Sequence, residues 1–112
     1  MPLAKLSVAI VTAAMVALAA PAHADPDADF AKQLHGYGIY GPRDYNAWLG
    51  KITCERLRNG LDTTADKSAR FVMINLPRGA TTGESYQFLA AAIGTYCPDR
   101  VPVLTAAAVH HE

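Results

Sequence analysis

Apolar residues recur at helical spacing in four segments of the chain, whereas the strict alternation typical of a half-buried strand is almost absent. In the first segment Phe30 and Leu34 lie four residues apart, and either Asp27 or Asp29 is expected to cap the helix. The pattern predicts an all-α fold, a small bundle of about four short helices.

The second predicted helix has two apolar faces. It is expected to begin at Pro42 and to run through Asn59, with Gly60 ending it. One face combines small residues with leucines: Ala47, Gly50, Cys54, Leu57 and Leu61. The other face consists of Tyr45, Trp48, Leu49 and Ile52. A helix that is apolar on two sides usually has neighbours on both. We therefore predict that the first face meets the fourth helix, and that the second is either a candidate binding surface or ordinary core.

Capping and breaking residues delimit two further helices. The third is predicted to follow Asp62-Thr63-Thr64 and to stop at Pro77. Its apolar stripe is Ala65, Ala69, Val72 and Leu76. The fourth opens with Thr81 and Glu84 as a capping box and ends before Pro98. Its stripe is Tyr86, Leu89, Ala90, Ile93 and Cys97.

The C-terminal tail, residues 99–112, lacks a convincing partner pattern. We expect it to be loosely attached, although the segment VPVL at 101–104 offers apolar side chains that can dock on the domain. The final His110-His111-Glu112 run is interpreted as incidental, and no metal site is predicted.

The stretch GYGIYG at 36–41 spells G-x-G-x-x-G, the pattern of a dinucleotide-binding loop, and Asp62 follows about twenty residues later. Such a loop must follow a buried strand and open a helix through its third glycine. Here the preceding residues have helical spacing, and a proline follows the third glycine. We therefore interpret Gly38, or Gly36, as the left-handed end of the first helix, with Ile39-Tyr40 holding the linker on the core.

The first 24 residues have the layout of a secretory signal peptide. Lys5 precedes an uncharged apolar run over 6–20, and Ala22-His23-Ala24 places small residues at the two positions that a signal peptidase reads. A membrane anchor would need about 18–20 apolar residues. We therefore predict cleavage after Ala24 and a secreted protein, outside the cell or at the cell envelope, without a membrane span in the mature chain.

Composition limits what the predicted mature chain, 25–112, can do. It is long enough for one small domain, assigned to 25–98, and it keeps nine basic and all ten acidic residues. Because neither sign of charge dominates, no nucleic-acid partner is expected. No catalytic triad, nucleophile elbow or facing pair of carboxylates is visible. We predict a protein that is not an enzyme and needs no cofactor.

Cys54 and Cys97 are the two cysteines of the chain. In an exported protein an even cysteine count favours a disulfide, which would join the second and fourth helices. A metal pair and a reactive thiol are the alternatives. They are less favoured because no histidine pair lies nearby and an oxidising compartment disfavours a free thiol.

Several short motifs follow one another in a definite order between about Asp27 and Pro98. The motifs are Asp29-Phe30, Leu34, Gly38-Ile39-Tyr40, Cys54, Leu57, Gly60, Leu89, Ala92 and Tyr96-Cys97-Pro98. In order and spacing they resemble the domain of unknown function family 732, which consists of small exported mycobacterial proteins. The resemblance implies a small α-helical domain with its two cysteines bridged, and it carries over no catalytic residue. Trp48 and the long junction INLPRGATTGE at 74–84 depart from the family pattern.

Three classes of function fit these features. The favoured one is an interaction module that binds another protein or the cell envelope through a surface of the bundle. The alternative is a carrier of an apolar ligand, in a pocket lined on one side by Tyr45, Trp48, Leu49 and Ile52. A small hydrolase is the least favoured. An exposed apolar patch would support the first class and an enclosed apolar cavity the second.

Overall fold

The computed structural model describes residues 25–110, and in this range the chain is all-helical. Its five α-helices are α1 (Pro26–Gly36), α2 (Arg43–Arg58), α3 (Ala65–Asn75), α4 (Thr82–Tyr96) and α5 (Val101–His110). A single 3₁₀ turn, Pro98–Arg100, connects the last two. The all-α prediction is confirmed, with one helix more than the sequence pattern indicated. The signal peptide predicted for residues 1–24 lies outside the described range.

The helix starts follow the capping residues, with two corrections. α2 begins at Arg43 and not at Pro42, because Pro42 has an extended backbone and takes the cap position. The predicted capping box is present, because the Thr81 hydroxyl accepts from the Glu84 amide and the Glu84 carboxylate accepts from the Thr81 amide, both at 3.0 Å. At α1 the prediction of Asp27 or Asp29 as the cap is wrong. Asp25 is the cap, accepting from the Ala28 amide at 3.1 Å, because a proline directly after it occupies the first helical position.

The glycine-rich stretch at 36–41 ends α1 and leads into α2, so it does not connect a strand to a helix. Gly38 has a φ of 83°, and the Ile39 amide donates to the Leu34 carbonyl at 2.9 Å, which closes the helix end. Ile39 is buried in the core, as predicted, but Tyr40 is 64% exposed. The expectation that Tyr40 holds the linker on the core is therefore wrong, because its ring lies against the exposed His35 of α1, with 5.1 Å between the centroids, and not in the core.

α4 is the central helix, and its two sides contact different parts of the core. One buried cluster joins α1, α2, α3 and α4 around Phe30, and its largest members are Phe30, Leu34, Leu49 and Phe88. The other surrounds the two cysteines and contains Cys54, Leu57, Ala65, Ala69, Leu89, Ile93 and Cys97. Two residues predicted on buried stripes, Leu61 and Ala90, are exposed instead. Leu61 follows the end of α2, so it no longer continues the helical stripe.

The predicted disulfide is present. Cys54, in the fourth turn of α2, is bonded to Cys97, which caps the C-terminus of α4, and the two Cα atoms lie 5.9 Å apart. Both cysteines are buried, and both belong to the second core cluster. The bridge therefore fixes the C-terminal half of α2 to the end of α4.

The segment predicted to be a loosely attached tail forms α5 in the structure. Val103, Leu104 and Ala107 are half-buried and pack against the cluster around the disulfide. The segment 101–104 therefore docks on the domain. It covers apolar side chains that α2, α3 and α4 would otherwise expose where the three helices meet. The final two residues of the predicted histidine run lie outside the described range.

Asp62, once a candidate ribose partner, holds the loop between α2 and α3. Its buried carboxylate accepts two hydrogen bonds from Arg56, at 2.8 Å and 3.2 Å. The Arg56 guanidinium also lies over the Phe71 ring, 4.0 Å from its centroid. The bond to Asp62 raises the pKa of Arg56, so this cation stays charged while it packs on an aromatic surface.

Gly50 lets α2 approach its neighbours closely. A Cβ atom at this position would lie 3.0 Å from Tyr96 Cε2 and 3.1 Å from two atoms of the Phe30 ring. We expect Gly50→Ala to lower the free energy of unfolding by about 1–3 kcal/mol, because a well-packed core resists an added methyl group. Gly94, in α4, has open space at its Cβ position.

Gly94→Ala is the matched control for this prediction. It should raise the free energy of unfolding by about 0.5–1 kcal/mol, since alanine favours a helix over glycine. Urea denaturation of the two variants measures both effects. Equal stabilisation by both substitutions would contradict the close approach at Gly50.

Candidate functional site

The outward side of α2 presents an aromatic pair. Trp48 is 51% exposed and Tyr45 is 39% exposed, and their ring centroids are 5.7 Å apart. The Tyr45 hydroxyl donates to the carbonyl oxygen of Asn75 at 2.8 Å, which anchors the pair to the end of α3. These two residues of the predicted binding surface are thus accessible, next to each other and held in place.

The other two predicted surface residues differ from them. Leu49 is fully buried in the core cluster around Phe30, so its assignment to a binding surface is wrong. The reason is geometric: Leu49 follows Trp48 and is rotated from it by about 100° around the helix axis, which turns it towards the bundle. Ile52 is half-buried and lies between these two extremes.

Beside this pair lies a surface depression that the sequence did not indicate. Its volume is about 350 Å³. It is lined by Tyr40, Gly41, Pro42, Tyr45, Asn46, Asn75, Leu76 and Pro77. A smaller depression of about 160 Å³ shares Tyr40, Leu76 and Pro77 with it and continues to Arg78, Gly79 and Glu84. We call the two together the aromatic groove. Its walls are the α1–α2 loop with the first turn of α2, and the α3–α4 junction.

Besides its tyrosines, the aromatic groove has four polar side chains in its lining: Asn46, Asn75, Arg78 and Glu84. Asn46 is 5% exposed, and its side-chain amide makes no hydrogen bond with any described residue. Arg78 lines the smaller depression, and no described carboxylate pairs with it. Glu84, in the same depression, is engaged by the Thr81 amide in the capping box. The groove therefore combines aromatic walls with an amide whose polar atoms reach solvent and with one side chain of each charge.

A second polar arrangement lies between α1, α2 and α4. The Tyr96 hydroxyl donates to Asp27 at 2.7 Å, and Lys51 contacts the other carboxylate oxygen at 3.3 Å. The bond from Tyr96 lowers the pKa of Asp27, while burial and this same bond raise the pKa of Tyr96. The three side chains tie three helices together, so we assign them to the fold and not to catalysis.

The remaining shifted group, Tyr86, also has a local partner. Its hydroxyl donates to Asp66, and this bond raises the pKa of Tyr86. The described residues contain no cluster of three or more histidine, cysteine or acidic side chains that could hold a metal ion. Between residues 25 and 110, no helix has the length and apolar character needed to cross a bilayer. The aromatic groove adjoins the exposed Tyr45–Trp48 pair, and for this reason we take it as the candidate functional site.

Comparison with known proteins places the chain among proteins without an assigned activity. Residues 26–99 match the family described as "Protein of unknown function (DUF732)". The chain is also similar to two uncharacterized proteins from two strains of Mycobacterium tuberculosis. Each is 59% identical over 102 residues, which cover 89% of this chain and 91% of the relative. No solved structure matches the chain.

Proposed function

The chain belongs to the DUF732 family, and from that premise we propose that it is an exported interaction module. In this proposal the helical domain acts outside the cell or at the cell envelope, where it binds another protein through the aromatic groove and the Tyr45–Trp48 pair. The observation that carries the proposal is the exposed, anchored aromatic pair on a bundle whose largest apolar side chains are fully buried.

Export is supported by two features of the chain. The leader-like pattern of residues 1–24 is accompanied by a buried disulfide, a combination typical of proteins that fold in an oxidising compartment. Residues 25–112 are 88 of the 112 residues, which is about 79% of the chain. A relative whose match covers 89% of the chain therefore also matches part of residues 1–24.

Interaction with a protein is favoured over transport of an apolar ligand by the way the apolar residues are distributed. Phe30, Leu34, Leu49 and Phe88 are fully buried and fill the space between the helices, where a carrier would need a cavity. The accessible aromatic rings lie instead on the surface, beside a groove that is open to solvent. Tyrosine and tryptophan are enriched among the residues that dominate binding energy at interfaces.

Export predicts a defined N-terminus. Protein recovered from the culture filtrate of an expressing mycobacterium is expected to begin at Asp25, because the small residues at 22 and 24 direct cleavage after Ala24. N-terminal sequencing of the secreted protein checks this result. Recovery of the intact chain from the membrane fraction alone would argue against export.

Interaction predicts that Trp48 contributes to binding more than to stability. Since half of its surface is exposed, we expect Trp48→Ala to lower the free energy of unfolding by no more than about 1 kcal/mol. The same variant should lose the partner that immobilised wild-type protein captures from envelope extract and culture filtrate. Leu61→Ala is the matched control, because Leu61 is also exposed but follows the opposite end of α2.

Two results would contradict this assignment. A stability loss of about 3–5 kcal/mol would show that Trp48 is a core residue. Equal capture by the wild type, Trp48→Ala and Leu61→Ala would show that the aromatic pair takes no part in binding.

A further inference from the structure

The C-terminus of α2 places an asparagine directly before a glycine in an exposed turn. Asn59 caps the helix, and Gly60 follows it with a φ of 75°. Both residues are exposed, and apart from the chain neighbours nothing described lies within 4 Å of a Cβ atom built on Gly60. Asparagine is a chemically labile residue. A glycine after it leaves the next backbone nitrogen unobstructed, because glycine has no Cβ atom.

The reaction that this arrangement permits is a ring closure within the chain. The backbone nitrogen of Gly60 loses its proton and attacks the side-chain carbonyl carbon of Asn59. A carbon–nitrogen bond forms, and the side-chain nitrogen leaves as ammonia, which takes up a proton. Water then opens the resulting five-membered succinimide at one of its two carbonyl carbons. One opening gives aspartate, and the other gives isoaspartate, in which the backbone runs through the former side-chain carbon.

The conformation of the helix end determines when the two atoms can meet. Asn59 has a ψ of 1°, so the Gly60 nitrogen eclipses the backbone nitrogen of Asn59 and is not aligned with its side chain. The Gly60 amide also donates to the Leu57 carbonyl at 3.3 Å. The Leu61 amide donates to the Arg56 carbonyl at 2.9 Å, which completes a Schellman motif. Helix ends open at a small cost in free energy, and ring closure therefore proceeds from the frayed end of α2.

The other two asparagines of the chain lack this arrangement. Asn46 is 5% exposed and is followed by alanine. Asn75 is followed by leucine, and its side-chain amide donates to the Phe71 carbonyl at 2.9 Å. In both cases a side chain on the next residue crowds the attacking nitrogen. Asn46 and Asn75 are therefore internal controls for the reactivity of Asn59.

Isoaspartate at position 59 would disturb the loop that follows α2. It adds one methylene group to the backbone, so the amides of Gly60 and Leu61 are displaced from their helix carbonyls. The Asp62 amide donates to the Arg56 carbonyl at 3.2 Å, and the buried Asp62 carboxylate accepts two hydrogen bonds from the Arg56 side chain. A buried charge that loses such partners is costly. The aspartate product keeps the backbone unchanged and adds only a negative charge at the helix C-terminus, a smaller effect.

We propose that Asn59 is a site of spontaneous chemical modification, at which the side-chain amide is converted through a succinimide to aspartate and isoaspartate. The isoaspartyl form releases the end of α2 and the loop that Asp62 holds. This modification needs no binding partner and no enzyme, since water is its one co-reactant. It is therefore independent of the proposed function.

The test follows purified protein, with its disulfide intact, at constant temperature in two mildly alkaline buffers of different pH. Peptide mapping by mass spectrometry measures the mass gain that replacement of the amide NH₂ by a hydroxyl group produces, and an isoaspartyl methyltransferase quantifies isoaspartate. We expect the gain at Asn59 at least about tenfold faster than at Asn46 or Asn75, a difference of about 1.4 kcal/mol in activation free energy. The rate should rise in proportion to hydroxide, because the attacking nitrogen must lose its proton.

Two variants at this exposed position separate the chemistry from its consequence. Asn59→Gln should show no mass gain at this position on the same timescale, because its longer side chain cannot form the five-membered ring. Asn59→Asp carries the charge of the aspartyl product on an unchanged backbone. Isoaspartyl protein, isolated by ion exchange, should unfold at a lower urea concentration than both the wild type and Asn59→Asp.

Any of three results would overturn the proposal. Equal rates at Asn46, Asn59 and Asn75 would show that Gly60 confers no reactivity. A rate that does not change with pH would exclude ring closure by the backbone nitrogen. Equal urea midpoints for isoaspartyl protein and Asn59→Asp would show that the loop around Asp62 does not depend on the backbone at this position.

Discussion

Phe30→Ala is expected to lower the free energy of unfolding by about 3–5 kcal/mol, the range measured when a large buried aromatic side chain is truncated. Phe30 is fully buried, and its ring centroid lies 5.2 Å from those of both Phe88 and Tyr96 in edge-to-face geometry. The ring also fills the space that Gly50 leaves open on α2. Removing it therefore leaves a cavity where α1, α2 and α4 meet.

The neighbouring rings cannot easily close that cavity. Tyr96 is held by its hydrogen bond to Asp27, and Phe88 is itself fully buried in the same cluster. For a domain of this size, whose total stability is of the order of 5–10 kcal/mol, the loss is a large fraction. Chemical denaturation measures it, with Gln33→Ala, an exposed position of the same helix, as the control expected to change stability by less than about 0.5 kcal/mol. Similar values for the two variants would show that α1 is not packed as the structure has it.

Helix boundaries were predictable because local chemistry determines them. The capping box at Thr81 and Glu84 and the proline after α3 act within a few residues of the helix ends, so they can be recognised in the sequence. The same applies to the left-handed glycine after α1. The cap of α1 was misassigned because three acidic residues compete within five positions, and only the placement of Pro26 decides between them.

The candidate site was only partly predictable because tertiary packing decides which apolar residues remain exposed. Tyr45, Trp48 and Leu49 lie within one apolar sector of α2. The sequence of α2 does not indicate which of these side chains the other helices bury. The boundary between buried and exposed residues lies between Trp48 and Leu49, since Leu49 belongs to the cluster around Phe30 and Trp48 does not. The available signals were Trp48 and the junction 74–84, because the family resemblance implies a smaller residue and a shorter junction at these two places.

The aromatic groove and α5 depend on contacts between distant parts of the chain. The groove brings the loop 38–42 next to the junction 75–80, and neither segment has a periodicity that would indicate a shared site. α5 contains no charged side chain in 101–109, so no polar face marks it as amphipathic. The position of α5 is explained by its packing against the core cluster around the disulfide, a contact that the sequence of α5 does not indicate.

Removal of the disulfide is the second large effect we expect. The Cys54–Cys97 bridge closes a loop with a sequence separation of 43 residues, for which the chain-entropy model gives about 4 kcal/mol. The double variant Cys54→Ala/Cys97→Ala is therefore expected to lose about 2–5 kcal/mol of unfolding free energy. Both side chains are buried, so alanine at these sites also gives up apolar contacts with residues such as Leu89 and Ile93.

Comparing this variant with the reduced wild type separates the bond from the packing. Reduction keeps both sulfur atoms in place, so its effect on stability reports the constraint on the unfolded chain, whereas the double variant adds the loss of buried contacts. The intact mass of the native protein should be two hydrogens below that of the reduced form, and native thiol titration should find no free cysteine. A fully titrating thiol in the folded protein, or equal stability with and without the bridge, would contradict the prediction. A loss near the upper end of the range would consume most of the stability of so small a domain, and the fold would then depend on a compartment that oxidises its cysteines.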